Sequence, residues 1–254
     1  MTHGTSARRW PCTLTFAVTI AAAIALGLTA APSAVRGADH PFARIETDAG
    51  TILVALYPEL APHHVDQFLR FARSDFYVGT YFHRIEPGFV IQGGDPNTKD
   101  DDPSNDGTGG PTLADIGLLT DEQLACIAAV NEVLAPKGYV TFEHANLRAE
   151  FSATAHHRRG TLAMARSGHP DSGGSQFYIC VAPQPRLDRQ YTIFGQVVTG
   201  LDVVDAIVSA QQDPNRGRGQ PAVPVQIVAI TALDSAAGLT AAERAAYEAL
   251  PEQP

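Results

Sequence analysis

Between Phe82 and Asp95 the chain reads Phe-His-Arg-Ile-Glu-Pro-Gly-Phe-Val-Ile-Gln-Gly-Gly-Asp. His83, Arg84 and Gln92 sit there among apolar, β-forming residues. A half-buried strand does not leave such groups without partners, so they pair internally, for instance Arg84 with Glu86, or they face a ligand. Other candidate chemistries are weaker. Asp102-Pro-Ser-Asn-Asp106-Gly107 imitates the start of a calcium loop, but its twelfth position is Leu113 and offers no bidentate carboxylate. Gly107-Thr-Gly-Gly110 lacks the Gly-Lys-Ser/Thr of a phosphate loop. Ser172 and Ser175 have no strand–turn–helix elbow around them, which argues against a serine hydrolase. His63 and His64 are adjacent on a helical turn, where side chains diverge by about 100° and do not easily share a metal. Both are expected to face solvent.

The elements that must position Arg84 and Gln92 follow from local pattern. Glu86-Pro87-Gly88-Phe89 is a turn: Pro presets φ at the second position and Gly tolerates positive φ at the third. Apolar runs at 80–85 and 89–92 flank it, which predicts a hairpin. With a two-residue loop, Arg84 and Phe89 share one face and Gln92 takes the other, unless a bulge near Gly93-Gly94 intervenes. Runs at 43–47 and 51–57 form a second hairpin around Asp48-Ala49-Gly50. Pro62 opens a helix with Val65, Phe68, Leu69 and Ala72 on one stripe. Further strands are expected at 161–165, 176–181, 191–198 and 225–233, with a helix at 201–209. Residues from about 112 to 146 read as a partly helical insertion. Thr120-Asp-Glu-Gln123 caps its helix and Pro136-Lys-Gly138 stops it. Residues 233–254 form a tail with an Ala-rich helix at 240–250. Met164 and Phe177 are expected in the core, and Cys180 as an inert buried thiol.

The run from Phe82 to Asp95, with Gly160-Thr-Leu-Ala-Met164-Ala165, Gly174-Ser-Gln-Phe-Tyr-Ile179 and Leu187-Asp188…Tyr-Thr-Ile-Phe-Gly195, resembles the cyclophilin-type peptidyl-prolyl isomerases over residues 42–232. The resemblance implies a mainly β fold: a closed eight-stranded antiparallel barrel with two capping helices, here carrying the insertion. It implies rotation about Xaa-Pro amides, with no nucleophile, cofactor or metal. Arg84 matches the catalytic Arg, Phe89 and Val90 the residues lining the proline pocket, and Gln92 the residue that holds the substrate backbone. Ala165, Gln176 and Leu187 match further substrate contacts. Tyr178 replaces a pocket Phe and adds a hydroxyl that must be hydrated or bonded. Tyr191 stands in place of a pocket His, Arg166 of an Asn, and Arg186 of a Trp that contacts cyclosporin in eukaryotic members. Arg166 and Arg186 are expected to make a basic rim tolerant of acidic residues near the proline. A proline-peptide-binding module with weak turnover is the alternative reading.

The chain has 254 residues, a net charge of −9 and 44% hydrophobic residues, enough for one barrel-sized domain. The acidic balance argues against nucleic acid as a partner. Residues 1–38 read as a signal peptide: Arg8 and Arg9 precede an apolar run at 14–31, and small residues follow at Ala34 and Ala38. Retained, the run is near the lower limit for a membrane anchor. Removal takes away three Arg and no acid, leaving 15 basic and 27 acidic residues, a charge of −12. Cys126 and Cys180 then remain, too few for a disulfide framework. These features predict a periplasmic or secreted monomer whose partners are proline-containing peptides and unfolded exported proteins. N-terminal sequencing of the protein from its own cell should find a start near residue 39 in a soluble extracytoplasmic fraction. A start at Met1 in the membrane fraction would mean an anchor, and a start there in the cytosol would refute the targeting reading.

Overall fold

The computed structural model describes residues 40–112, 115, 117–134, 136, 147–209, 221 and 223–251. The expected signal peptide lies outside the described residues, as do Lys137 and Gly138 of the expected helix stop and the end of the insertion at 137–146. Eight strands form one antiparallel sheet: β1 (Phe42–Thr47), β2 (Gly50–Leu56), β3 (Arg84–Ile85), β4 (Val90–Gly93), β5 (Thr161–Met164), β6 (Phe177–Cys180), β7 (Ile193–Thr199) and β8 (Ile227–Leu233). Their order is β3-β4-β6-β5-β7-β2-β1-β8. The sheet curls into a half-barrel and does not close, contrary to the sequence expectation. Its end strands β3 and β8 do not pair. The reason is that 80–85 contributes only two residues of ladder: upstream, among the described residues, it meets the 225–227 segment in a single isolated bridge, Tyr81 opposite Gln226, and the Tyr81 N–H, facing away from that bridge, donates to Thr98 Oγ1 at 3.2 Å. Only scattered bonds cross the seam, among them Ile227 N–H to Thr80 O at 2.7 Å and Phe82 N–H to Val225 O at 3.2 Å.

Four helices are described rather than two capping ones alone: α1 (Pro62–Arg73), α2 (Asp121–Leu134), α3 (Leu201–Val208) and α4 (Ala241–Glu248). Helix α1 delivers Phe68 into the concave side of the sheet, where its ring meets Tyr77, Phe177 and Phe194 at 5.4, 5.5 and 5.4 Å. Ile45, Ile52, Val54, Ile91, Leu162, Met164 and Ile179 complete this core. Met164 and Phe177 lie in it, and Cys180 is buried on the other face. The Thr120–Gln123 capping pair of α2 forms both of its bonds, at 3.2 and 2.9 Å.

His64 overturns the expectation of solvent-facing histidines, since it is buried while His63 is exposed. Helix α1 has no side-chain cap of its own at Ala61. Glu150 serves instead: its carboxylate accepts the N–H groups of His63 and His64 at 3.3 and 3.1 Å and meets His64 Nδ1 at 2.6 Å. A carboxylate on a helix N-terminus satisfies orphan donors and the dipole together. Burial works against the Glu150 charge, but these bonds outweigh it and lower its pKa.

On the convex side, α4 docks over β1 and β2. Tyr247 packs edge-on against Phe42 at 4.9 Å, within a cluster that includes Leu53, Ala55, Tyr57 and Leu239. Glu243 completes a capping box with Thr240 and takes a two-pronged contact from Arg44, Nε at 2.9 Å and Nη2 at 2.7 Å. The Arg44 bond is the largest influence holding the Glu243 carboxyl down at about 2. A depressed acid stabilises the fold above its unfolded pKa of about 4.5, and that contribution fades as pH falls through about 2. Glu243→Gln should therefore cost on the order of 1 kcal/mol at pH 7, a loss of about 2–4 °C in Tm. It should also flatten the fall of Tm between pH 4.5 and 2. Superimposable pH profiles for the two proteins would exclude this clasp as a stabilising contact.

Candidate active site

The turn at Glu86 sets the site. The Phe89 N–H donates to Glu86 O at 2.9 Å, and Gly88 has φ +72°, the left-handed value that a type II turn requires at its third position. The Glu86 N–H also donates to Val90 O at 2.9 Å, so the loop has three residues, 87–89. Arg84 therefore pairs directly with Gln92, and Ile85 with Ile91. This corrects the two-residue loop, which separated Arg84 from Gln92 and called for a bulge at Gly93-Gly94. The row continues across the sheet: Gln92 opposite Tyr178, Tyr178 opposite Ala163, Ala163 opposite Ile193. Side chains alternate along strands, so this row lies on the convex face while Ile91, Phe177 and Ile179 fill the core.

Over this row lies a cleft of about 310 Å³. Phe89, Val90, Ala165, Tyr178, Leu187 and Tyr191 give it apolar and aromatic walls, with Arg84, Gln92 and Arg166 at its polar parts. Of the eleven residues that the resemblance singled out, nine line it, and Gln176 and Arg186 do not. Gln176 lines an adjoining groove of about 210 Å³ together with Gln92, Ala165 and Arg166. The Arg84 guanidinium carbon stands 5.6 Å from the Phe89 ring centre. Its Nη2 is 3.6 Å from Glu86 Oε1, beyond hydrogen-bond length, and the side chain is 43% exposed. Gln92 is held more tightly. Its Nε2 donates to Gln176 Oε1 at 2.8 Å, and the Gln176 amide donates onward to Gly107 O at 3.0 Å, Asp95 Oδ2 at 3.3 Å and Gly109 O. That orientation directs donors into the protein and leaves the Gln92 carbonyl oxygen as an acceptor.

Arg166 is fixed by carbonyls. Its Nε and Nη2 donate to Gln190 O, both at 3.1 Å, and Nη1 to Ser167 O at 2.9 Å. Its guanidinium lies 4.5 Å over the Tyr191 ring. Arg186 is exposed in the 3₁₀ turn Pro185–Leu187 and is absent from the cleft lining, so the basic lip consists of Arg84 and Arg166. The Tyr178 hydroxyl is bonded, 3.0 Å from His157 Nε2, and burial pushes its pKa far up.

Asp106 and Gly107 also line the cleft and were missed as site residues, and with them stands His83, which the sequence marked as a polar group in need of a partner or a ligand. His83 is 4% exposed, with neither ring nitrogen bonded among the described residues. Burial lowers its pKa against the opposing influence of Asp95 and Asp106. Its place beside Arg84 in the motif was the available signal. Asp106 and Gly107 sit in a loop that reads as solvated, but Asp95 and Gln176 draw that loop in through Gly107 and Gly109. Gly174 lets the two loops meet, since a Cβ there would collide with the Gly110 carbonyl.

The cyclophilin type peptidyl-prolyl cis-trans isomerase/CLD family model matches residues 42–232. The chain is 33% identical over 189 residues to the peptidyl-prolyl cis-trans isomerase ppi1 of Schizosaccharomyces pombe, covering 74% of this chain and 97% of that one. It is 33% identical over 203 residues to a probable peptidyl-prolyl cis-trans isomerase of Brucella suis, covering 78% and 87%. The fold is similar to a cyclophilin type isomerase of Cryptosporidium parvum solved in the presence of the dipeptide Ala-Pro. The TM-score is 0.57 at 25% identity, over 75% of this chain and 97% of that one.

Removing the Gln176 amide would free Gln92 and take one donor from Gly107 O, Gly109 O and Asp95 Oδ2. Gln176→Leu should lower kcat/KM on an Xaa-Pro peptide about tenfold, the equivalent of one lost buried bond. A folded variant with unchanged kcat/KM would show that Gln92 needs no brace.

Proposed function

The chain belongs to the cyclophilin-type peptidyl-prolyl cis-trans isomerase family, and we propose that it turns over Xaa-Pro bonds at the Arg84–Gln92 cleft in exported proteins. The observation that carries the reading is the direct pairing of Arg84 and Gln92 beside an apolar hollow. The barrier to be lowered is amide resonance, about 18–20 kcal/mol. Twisting the amide localises the nitrogen lone pair, and a catalyst must favour that twisted form over both planar ones. A millionfold acceleration needs about 8 kcal/mol of such preference.

The proline ring enters between Phe89, Val90, Tyr178 and Leu187, where burial in an apolar pocket holds it while the rest of the chain rotates. Arg84, with a side chain that remains 43% exposed, donates to the amide as its nitrogen gains lone-pair character. The Gln92 carbonyl accepts a substrate backbone N–H and fixes the peptide relative to the guanidinium. No covalent bond forms, and neither a nucleophile nor a proton relay is required. The dipeptide Ala-Pro, in whose presence the Cryptosporidium protein was solved, is an Xaa-Pro molecule of the class proposed here. Export rests on the signal-like residues 1–38. Outside the cytoplasm the enzyme meets new chains whose slow prolyl isomerisation limits folding.

Arg84→Ala tests the assignment. It opens no core cavity, so Tm should hold within about 2 °C, while kcat/KM falls on the order of 10²–10³. A correctly folded Arg84→Ala protein that isomerises an Xaa-Pro peptide at the normal rate would sink it.

A further inference from the structure

Behind the cleft wall lies a buried set of groups that no step above uses. The Tyr178 ring faces the cleft, and its hydroxyl is 3.0 Å from His157 Nε2. The His157 side chain is fully buried, with Nδ1 2.9 Å from Asp188 Oδ1. The same carboxylate oxygen accepts the His157 backbone N–H at 2.8 Å, and Oδ2 meets His156 Nδ1 at 2.7 Å. The His157 carbonyl accepts the Gln184 N–H at 2.7 Å. Asp188 directly follows Leu187, the opposite wall of the cleft. One imidazole thus ties two walls together, Tyr178 on β6 and the 3₁₀ turn carrying Leu187.

The direction of the bonds follows from chemistry. A carboxylate only accepts, so His157 Nδ1 carries the proton. In the neutral ring Nε2 is then an acceptor, and the Tyr178 O–H is the donor. Burial lowers the His157 pKa and so favours this neutral ring. Burial also opposes charge on Asp188, but the bonds from His156 and His157 hold its pKa down at about 2.

We infer that His157 is a positioning residue for the proline pocket, fixing the Tyr178 ring by its hydroxyl with its own tautomer locked by Asp188. This rests on the cleft reading above and deepens it: pocket width depends on a directional bond as well as on packing. Tyr178 also stacks on the His157 ring at 6.1 Å, meets Tyr191 edge-on at 5.9 Å and 81°, and shares a buried cluster with Val90, Ala163 and Ile193; of these contacts the hydroxyl bond is the directional one. Without His157 the buried hydroxyl must seek water through the cleft, where the proline ring belongs.

A double-mutant cycle tests this. His157→Leu should raise KM for an Xaa-Pro peptide about five- to tenfold with a smaller change in kcat. Adding Tyr178→Phe should bring KM back toward that of Tyr178→Phe alone, because neither partner is then orphaned. Equal effects of His157→Leu in both backgrounds would reduce His157 to a structural residue and overturn the inference. If His157→Leu does not fold, the histidine ring ¹⁵N spectrum decides. The wild type at pH 7 should show Nδ1 protonated and Nε2 accepting, with the Nε2 resonance moving in Tyr178→Phe. The opposite tautomer, or an unmoved resonance, overturns it. A peptide that leaves the Phe89 and Tyr178 signals undisturbed would instead sink the cleft reading itself. Disturbed signals with an unchanged KM in His157→Leu would sink only the positioning role of His157.

Discussion

A three-residue loop places Arg84 across from Gln92, and the rest of the site depends on that register. In a strand pair, a slip of one residue sends each side chain to the other face. Here it would turn Gln92 into the phenylalanine-lined core and Ile91 out to solvent. The slip is blocked from both sides. Ile85 and Ile91 form an apolar pair on the core side, and the Glu86 N–H to Val90 O bond closes the loop at one length. β6 then reads the register of β4 by pairing Gln92 with Tyr178, and β5 and β7 extend it to Ala163 and Ile193. Five strands thus set the spacing between the cation, the amide and the aromatic wall.

Why the site lies on the convex face follows from what fills the other one. The concave side takes Phe68 from α1 and is packed solid with Phe82, Phe177 and Phe194. The convex face is divided into two smaller clusters. One, around Phe42, Leu53 and Tyr57, is covered by α4 and Leu239. The other, around Val90, Tyr178 and Ile193, is only partly covered by Phe89, Leu187 and Tyr191. A concave, largely apolar gap with a few fixed polar groups is the usual form of a ligand site. The tail and the cleft are two answers to the same problem of apolar area on an outer sheet face.

What was legible in the sequence was local. The Pro-Gly turn, the stripe of α1, the Thr120 and Thr240 helix starts and most strand positions follow from patterns a few residues long. What was not legible depends on partners far apart in the chain. Glu150 is 86 residues from His64 and turns an expected surface histidine into a buried one. Gln176 reaches Gly107 and Gly109, 69 and 67 residues away, and folds a loop of apparently solvated composition over the cleft. His157 satisfies the Tyr178 hydroxyl, a need that the sequence posed and could not resolve. The open sheet edge also escaped, since pattern alone makes 80–85 a strand, while among the described residues its upstream part makes a single isolated bridge, Tyr81 to Gln226.

The treatment of the two cleft cations shows how position decides role. Arg166 spends its donors on the Gln190, Ser167 and Gly168 carbonyls and its face on Tyr191. It has become part of the wall, still charged but with few donors left to aim. Arg84 has an acid beside it, yet at 3.6 Å, and one face resting near Phe89. A two-pronged bond to Glu86 would hold the guanidinium as firmly as Glu243 holds Arg44, and would consume the N–H groups that face outward. The looser contact keeps the charge near its place by Coulomb attraction, while the exposed side chain retains donors for a ligand. A guanidinium needed at a developing lone pair must be oriented before the ligand arrives and unspent when it does. Of the two arginines in this cleft, only Arg84 meets both conditions.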